Sequence, residues 1–450
     1  VSFVRKLQHL LRHSKFRKLF AIRALSQCAD GTLQIGMAAH ILFNPAQQPD
    51  AWSIAAMFAI TLLPFSIVGP LVSGLLDHWS RRNVAVVVDA TRCVLAVLIA
   101  GLVASSAGGP ALSTLLFASL MVALALNRFV LAGLAAGMQH TIDEDEFLTA
   151  SAVMPMIGPM GVLVGGALAG GARLLVPMVS PGASTDLADA VIFCSAAAMW
   201  ATSCFIATRL APPDLGPLEP APRTRLRETL SALADAGLHL RRRPAALLGL
   251  ATISVQRVCY GRTLVTALLI FRRHLNQPTE LGPAMADIGL WMGASGVGFA
   301  LSVVLVPPLA QRLGMRSTML ALLLASAVVQ LGPGSVLSRW PLVVASFLLG
   351  WFAQALKICV DTVVQSHVDG QLKGRVFMVY DAVFNAAVVL GAVLGALLLP
   401  DDGASHLVLA GIGLAYLAIA AGFWLLGRPL GSSAFNRGTD LAMPGKTRAG

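Results

Sequence analysis

The chain has 450 residues, 56% of them apolar and only 12% charged, with a mean hydropathy of +0.75. A soluble domain carries about twice that charged fraction, so this composition excludes one and points to a membrane protein. The net charge of +11 lies mostly in short segments between apolar runs, where topology and attraction to anionic lipid account for it without a nucleic-acid partner.

Residues 1–18, VSFVRKLQHLLRHSKFRK, lack the apolar core of a cleavable signal peptide and predict an amphipathic helix on the inner leaflet. A spanning helix needs about 20 mostly apolar residues, and twelve such runs follow. Six cover 19–43, 53–76, 84–103, 111–136, 150–176 and 190–208. Six more cover 245–271, 288–309, 317–331, 341–360, 376–399 and 406–426. Proline and charge replace the apolar pattern between the two sets. The expected domains are therefore an N-terminal segment (1–18), a six-helix bundle (19–209), a linker (210–243), a second bundle (244–428) and a tail (429–450). With the N-terminus inside, the inner segments hold 23 Lys and Arg and the outer ones four. The positive-inside rule then places both termini in the cytoplasm of a multi-pass protein of the inner (plasma) membrane.

Weak internal repetition supports two related halves. LDHWSRR after the second run and AQRLGMR after the eighth put basic residues at the same corner, and MQHTID (138–143) echoes VQSHVD (364–369). The six cysteines fall in or beside apolar runs without CxxC spacing and read as packing residues. No Walker loop, HExxH or partnered GxSxG is present, so neither an enzyme nor a metal or cofactor is expected.

Polar residues inside apolar runs are costly unless they meet a partner or a wet cavity. In the first run Arg23, Gln27, Asp30 and Gln34 recur at spacings of four, three and four, which is one helix face. The seventh repeats this with Thr252, Gln256, Tyr260 and Thr263, and the tenth with Gln354, Lys357 and Asp361. The fourth adds Asn127 and Arg128. The sixth and twelfth carry no charge and read as lipid-facing. At about 1.5 Å per residue, Asp30, Arg128 and Arg257 lie about 16, 12 and 18 Å deep. Arg23 and Lys357, within about 6 Å of the inner face, can snorkel, and Lys357 can pair with Asp361 at i, i+4. Asp30 reads as the only acid deep in the runs. It is the expected proton carrier, with Arg128 or Arg257 competing for it; a permanent Asp30–Arg128 ion pair is the alternative.

GPLVSGLLDHWSRRNV (69–84) resembles the signature loop of the major facilitator superfamily, G-x-x-x-D-R-x-G-R-R, with Asp77, Arg81 and Arg82 at its charged positions and Ser73, His78 and Ser80 departing from it. NRFVLAGLAAGMQH near residue 127 and GRVFMVYDAVFNAAVVLGAVLGALLLP from Gly374 are similar to the branch containing macrolide-efflux and siderophore-export permeases. The resemblance implies an all-α membrane fold of twelve transmembrane helices in two pseudo-symmetric six-helix bundles, with helices 1, 4, 7 and 10 lining a central cavity. It also implies a cytoplasmic latch. Asp77 would face the N-terminus of helix 11 near Gly374, where unpaired amides favour an anion, and Arg81 or Arg82 would bind Asp77 or the run Asp143, Glu144, Asp145 and Glu146. The plainer alternatives are loop anchoring for the arginines and a solvated start to helix 5 for the acidic run.

Glycines in helix 5 (158, 161, 165, 166, 170) and helix 8 (289, 293, 296, 298) permit close helix approach, and in the family these helices face each other across the halves. The expected function is secondary active transport: proton-coupled export of a small amphipathic or anionic compound by a monomer in the lipid bilayer. A lipid or lysolipid flippase and a non-transporting scaffold or sensor remain open.

Overall fold

The computed structural model describes residues 10–43, 50–76, 79–105, 110–142, 150, 154, 157–180, 185–216, 226–277, 281–369 and 372–436. Its described residues form helices and connecting turns without strands. Twelve long helices coincide with the apolar runs: α1 (Ser14–Phe43), α2 (Ala51–Leu76), α3 (Arg81–Ala104), α4 (Pro110–Gly137), α5 (Ile157–Val179), α6 (Thr185–Thr208), α7 (Pro244–Leu269), α8 (Leu281–Leu313), α9 (Met315–Leu331), α10 (Arg339–His367), α11 (Lys373–Leu398) and α12 (His406–Gly427). A further linker helix, Leu226–Arg241, precedes α7. Among the described residues, seven of these helices are long and apolar enough by themselves to cross a membrane. The helix α1 already begins at Ser14, so the last residues of the expected surface segment are its first turn.

Local chemistry sets the ends of these elements. Pro244 occupies the first helical position of α7, where its missing N–H costs nothing. A single residue, Gly314 at φ 78°, joins α8 to α9, and a residue with a Cβ would be strained in that left-handed corner. Asn436 Oδ1 accepts the Met315 amide at 2.9 Å and closes the start of α9. The helix α10 runs past the expected end of its apolar run to His367, which brings Asp361 inside it. At the far end of α7 the ladder widens to a π-turn over Ile270–His274, with Leu275 N–H donating to the Ile270 carbonyl at 2.8 Å.

The chain divides into two units, residues 1–47 with 63–229 and residues 48–62 with 230–450. In the first, α1 packs on α5 and α6, and α3 on α4 and α6. In the second, α7 packs on α11 and α12, and α9 on α10 and α12. The second pattern is the first shifted by six helices, so the repeat faint in the sequence is explicit in the packing.

Because lipid is as apolar as a leucine side chain, helix association here depends on close van der Waals approach. A Cβ at Gly161 of α5 would stand 2.6 Å from the Gln27 carbonyl carbon of α1, and one at Gly165 would strike the Gly31–Thr32 backbone. The repeat uses the same device: Cβ atoms at Gly261 of α7 and Gly391 of α11 would meet the carbonyls of Val388 and Val258. Gly298 of α8 likewise rests on the Phe347 carbonyl of α10. Gly161, Gly165 and Gly298 are therefore accounted for by packing inside each unit. A Gly261→Val substitution drives a branched side chain into backbone that no rotamer change can move. It is expected to cost about 1–3 kcal/mol or more, read as a lowered melting temperature of the detergent-solubilised protein.

Candidate substrate and proton site

In the first unit, α1, α3, α4 and α6 bring together a buried polar cluster. From α1, Asp30 is 3% exposed, and from α3 both Asp89 and Arg92 are fully buried. Arg92 Nη2 donates to Asp30 Oδ1 in an ion pair. Its Nη1 donates to Ser26 Oγ at 3.0 Å and reaches Asp89 Oδ1 at 3.4 Å. Asp89 also accepts from Ser203 Oγ of α6 at 2.6 Å and from Ser26 Oγ at 3.3 Å. The guanidinium carbon stands 4.3 Å from the ring centroid of the fully buried Trp200, so the cation is held by a π face as well as by carboxylates. Gln27 Nε2 donates to Asp30 Oδ2 at 3.1 Å and to Asn127 Oδ1 of α4 at 3.3 Å, tying the two helices together.

This arrangement corrects three sequence expectations. Within this unit the partner of Asp30 is Arg92, not Arg128. Asp30 is not the only deep acid, because Asp89 is buried beside it. Nor does α6 serve only lipid: it places Trp200 and Ser203 inside the cluster. The missed signal was present in the third apolar run, where Asp89 and Arg92 stand at i, i+3 and carry the same desolvation cost that singled out Asp30.

Other predicted residues of this unit lie nearby in the fold. Gln34 and Arg128 are half-buried. Arg23 Nε donates to the Met154 carbonyl at 3.1 Å instead of turning its charge away from the protein.

The second unit holds a different centre. Arg257 of α7 is 3% exposed, donates to the Ala353 carbonyl of α10 at 3.3 Å and lies 4.4 and 5.0 Å from the rings of Phe384 and Tyr260. Among the described residues no carboxylate forms an ion pair with it. Gln256 Nε2 donates to Tyr416 Oη at 3.3 Å. Lys357 Nζ pairs with Asp361 Oδ2 at 2.7 Å and faces the rings of Tyr380 and Phe384 at 5.2 and 5.6 Å. One turn away on α10, Gln354 is half-buried. A buried guanidinium bounded by aromatic rings and a carbonyl suits a ligand bearing both an anionic group and an apolar body.

Of the residues expected at the gate, Asp77 and Asp143, with Glu144, Asp145 and Glu146, lie outside the described residues. Gly374 is exposed in the first turn of α11. Arg81 and Arg82 open α3 and reach back to the ends of neighbouring helices. Arg81 Nη1 donates to the carbonyls of Ala136 at 2.9 Å and Leu215 at 3.0 Å, and Arg82 donates to those of Thr208 and Leu210 at 3.1 and 3.2 Å. Cations at these C-terminal carbonyls complement the helix dipoles of α4 and α6. Burial, and then the charge of Arg81, lowers the pKa of His140 below the usual imidazole value. Lys15 pairs with Asp214 at 2.7 Å and holds that carboxyl below the usual carboxylate range.

Two units that repeat the packing of α1 on α5 and α6 and of α3 on α4 and α6, each carrying a charged centre within long apolar helices, define a polytopic membrane transporter. Comparison with known proteins makes the class specific. The Major Facilitator Superfamily profile matches residues 258–447. The chain is 31% identical over 398 residues to uncharacterized MFS-type transporters of Mycobacterium tuberculosis (Rv0037c) and Mycobacterium bovis (Mb0038c), covering 86% of each sequence. Among solved structures, the nucleoside transporter NupG superposes with a TM-score of 0.64 at 14% identity, covering 92% of this chain and 99% of its own. The POT family transporter PepTSo superposes at 0.66 and 11% identity, covering 92% and 98%. The chain belongs to the Major Facilitator Superfamily, with that family's twelve transmembrane helices in two pseudo-symmetric bundles.

Proposed function

We propose that the protein exports a small amphipathic or anionic compound in exchange for protons, by alternating access, across the inner (plasma) membrane. The observation that carries this reading is the Asp30–Arg92–Asp89 cluster: two buried carboxyls share one guanidinium. Fully ionised, that set has one negative charge too many for so buried a site, and a proton would balance it. A proton that leaves or joins the cluster changes how completely Arg92 is neutralised, which is the kind of two-state element that couples proton movement to conformation. In the second unit, Arg257, which has no partner carboxylate among the described residues, supports an anionic group on the substrate. The basic bias of the loops supports cytoplasmic termini. On that orientation Arg81 and Arg82 stand at the inner ends of α4 and α6, where the proposed latch with Asp77, Asp143 and the start of α11 at Gly374 would act.

The test uses proteoliposomes loaded with a pH-sensitive dye and two probes, deoxycholate as the anionic amphiphile and rhodamine 6G as the cationic one. Proton flux is expected with deoxycholate under an imposed pH gradient and not with rhodamine 6G. Equal flux with both, or none that depends on the protein, would contradict the reading.

A further inference from the structure

At the start of α7 a basic pocket lies apart from both charged centres. Arg242, Arg243, Pro244 and Ala245 line it together with His367 from the end of α10 and Ser433, and it encloses about 290 Å³. Three features of the pocket favour an anion. The Arg243 side chain provides no cap hydrogen bond for α7, and the first intrahelical bond runs from Leu247 N–H to the Arg243 carbonyl, so the Ala245 and Ala246 amides precede the ladder. His367 is only 9% exposed; its Nδ1 is engaged by the Val363 carbonyl at 2.7 Å and by Ser366 Oγ at 3.0 Å, and Nε2 has no partner among the described residues. The Arg242 guanidinium likewise forms no hydrogen bond or ion pair among them. Among the described residues one acid stands at the rim: Asp369, its side chain 63% exposed, lies 3.3 Å from Arg243 and 3.7 Å from His239. Amides, two guanidiniums and an imidazole outweigh that single solvated carboxylate.

We propose that this pocket binds a phosphate group. Its place in the chain indicates the source. Arg242 and Arg243 join the polar linker helix to α7, and Leu247, 37% exposed, continues into the apolar length of α7. A phosphate held here would lie at headgroup depth, beside the exposed Leu247. The ligand chemistry is thus the phosphodiester of an anionic phospholipid, or a free phosphate using the same donors.

The experiment titrates the delipidated full chain in a non-ionic detergent with dioleoyl phosphatidylglycerol, dioleoyl phosphatidylcholine and inorganic phosphate. Retained lipid is counted by native mass spectrometry, and the melting temperature is followed in parallel. Phosphatidylglycerol should bind the parent in preference to phosphatidylcholine and bind R242Q/R243Q about thirty-fold more weakly, with R242K/R243K retaining much of the affinity. Binding of phosphatidylglycerol without a response to inorganic phosphate assigns the lipid headgroup. Stabilisation by inorganic phosphate that disappears in R242Q/R243Q assigns a free-anion site; either result supports the pocket. Unchanged phosphatidylglycerol affinity in a folded R242Q/R243Q protein overturns the proposal, as does equal retention of phosphatidylcholine by the parent. Should the double variant fail to fold, R242Q and H367Q are measured singly, and unchanged affinity in both overturns it.

Discussion

Arg92→Met is expected to be among the most destabilising single substitutions in the first unit. Methionine fills much of the same space beside Trp200 but leaves Asp30 and Asp89 facing each other without a cation. Removing one member of a buried ion network typically costs about 3–5 kcal/mol, a large share of the roughly 5–15 kcal/mol that separates folded from unfolded protein. The variant should melt well below the parent in the same detergent and give a poor yield. Adding Asp89→Asn should recover part of the loss, because a single remaining carboxyl can be neutralised by one proton; the two changes are then strongly non-additive. If R92M melts as the parent does, Arg92 is not the cation that holds the cluster together.

The second large effect concerns transport. Asp30→Asn keeps a hydrogen-bonding group against Arg92 and Gln27 but cannot carry a proton. Under the proposed exchange it should still allow substrate to equilibrate across the membrane while losing accumulation driven by a pH gradient. For one proton per substrate, each pH unit of gradient is worth about 1.4 kcal/mol, or about ten-fold accumulation, and this factor should fall to one in the variant. Asp89→Asn separates the two carboxyls. If it also abolishes accumulation, the pair acts as one unit; if only one variant does, that residue is the carrier. Undiminished accumulation in both would leave the cluster structural and direct attention to Asp361.

The helices were legible in the sequence because a spanning segment must be apolar over most of its length, and even the short ninth run returns as Met315–Leu331 between its glycines. The polar faces of α1, α7 and α10 could be read from spacing alone. The pairing could not. A spacing of three or four residues places Asp89 with Arg92 on one side of α3, but only the packing of α3 on α6 shows that this side is buried. Depth along the chain made Arg128 a plausible partner for Asp30, since a one-dimensional ruler carries no azimuth; in the fold the guanidinium within reach is that of Arg92. The glycines show the same limit. Small residues mark a close approach without naming the partner helix, and for Gly161 and Gly165 that partner is α1.

Whether two carboxyls and one guanidinium hold an exchangeable proton can be tested without knowing the substrate. Infrared difference spectroscopy of the reconstituted protein, with and without ¹³C-labelled aspartate, separates the stretching bands of protonated and ionised carboxyls. A protonated aspartate band is expected at neutral pH that moves with the isotope, is lost or displaced in D30N or D89N, and disappears on titration to alkaline pH. Spectra showing only ionised aspartate from acid to alkaline conditions, identical in the parent and both variants, would contradict it.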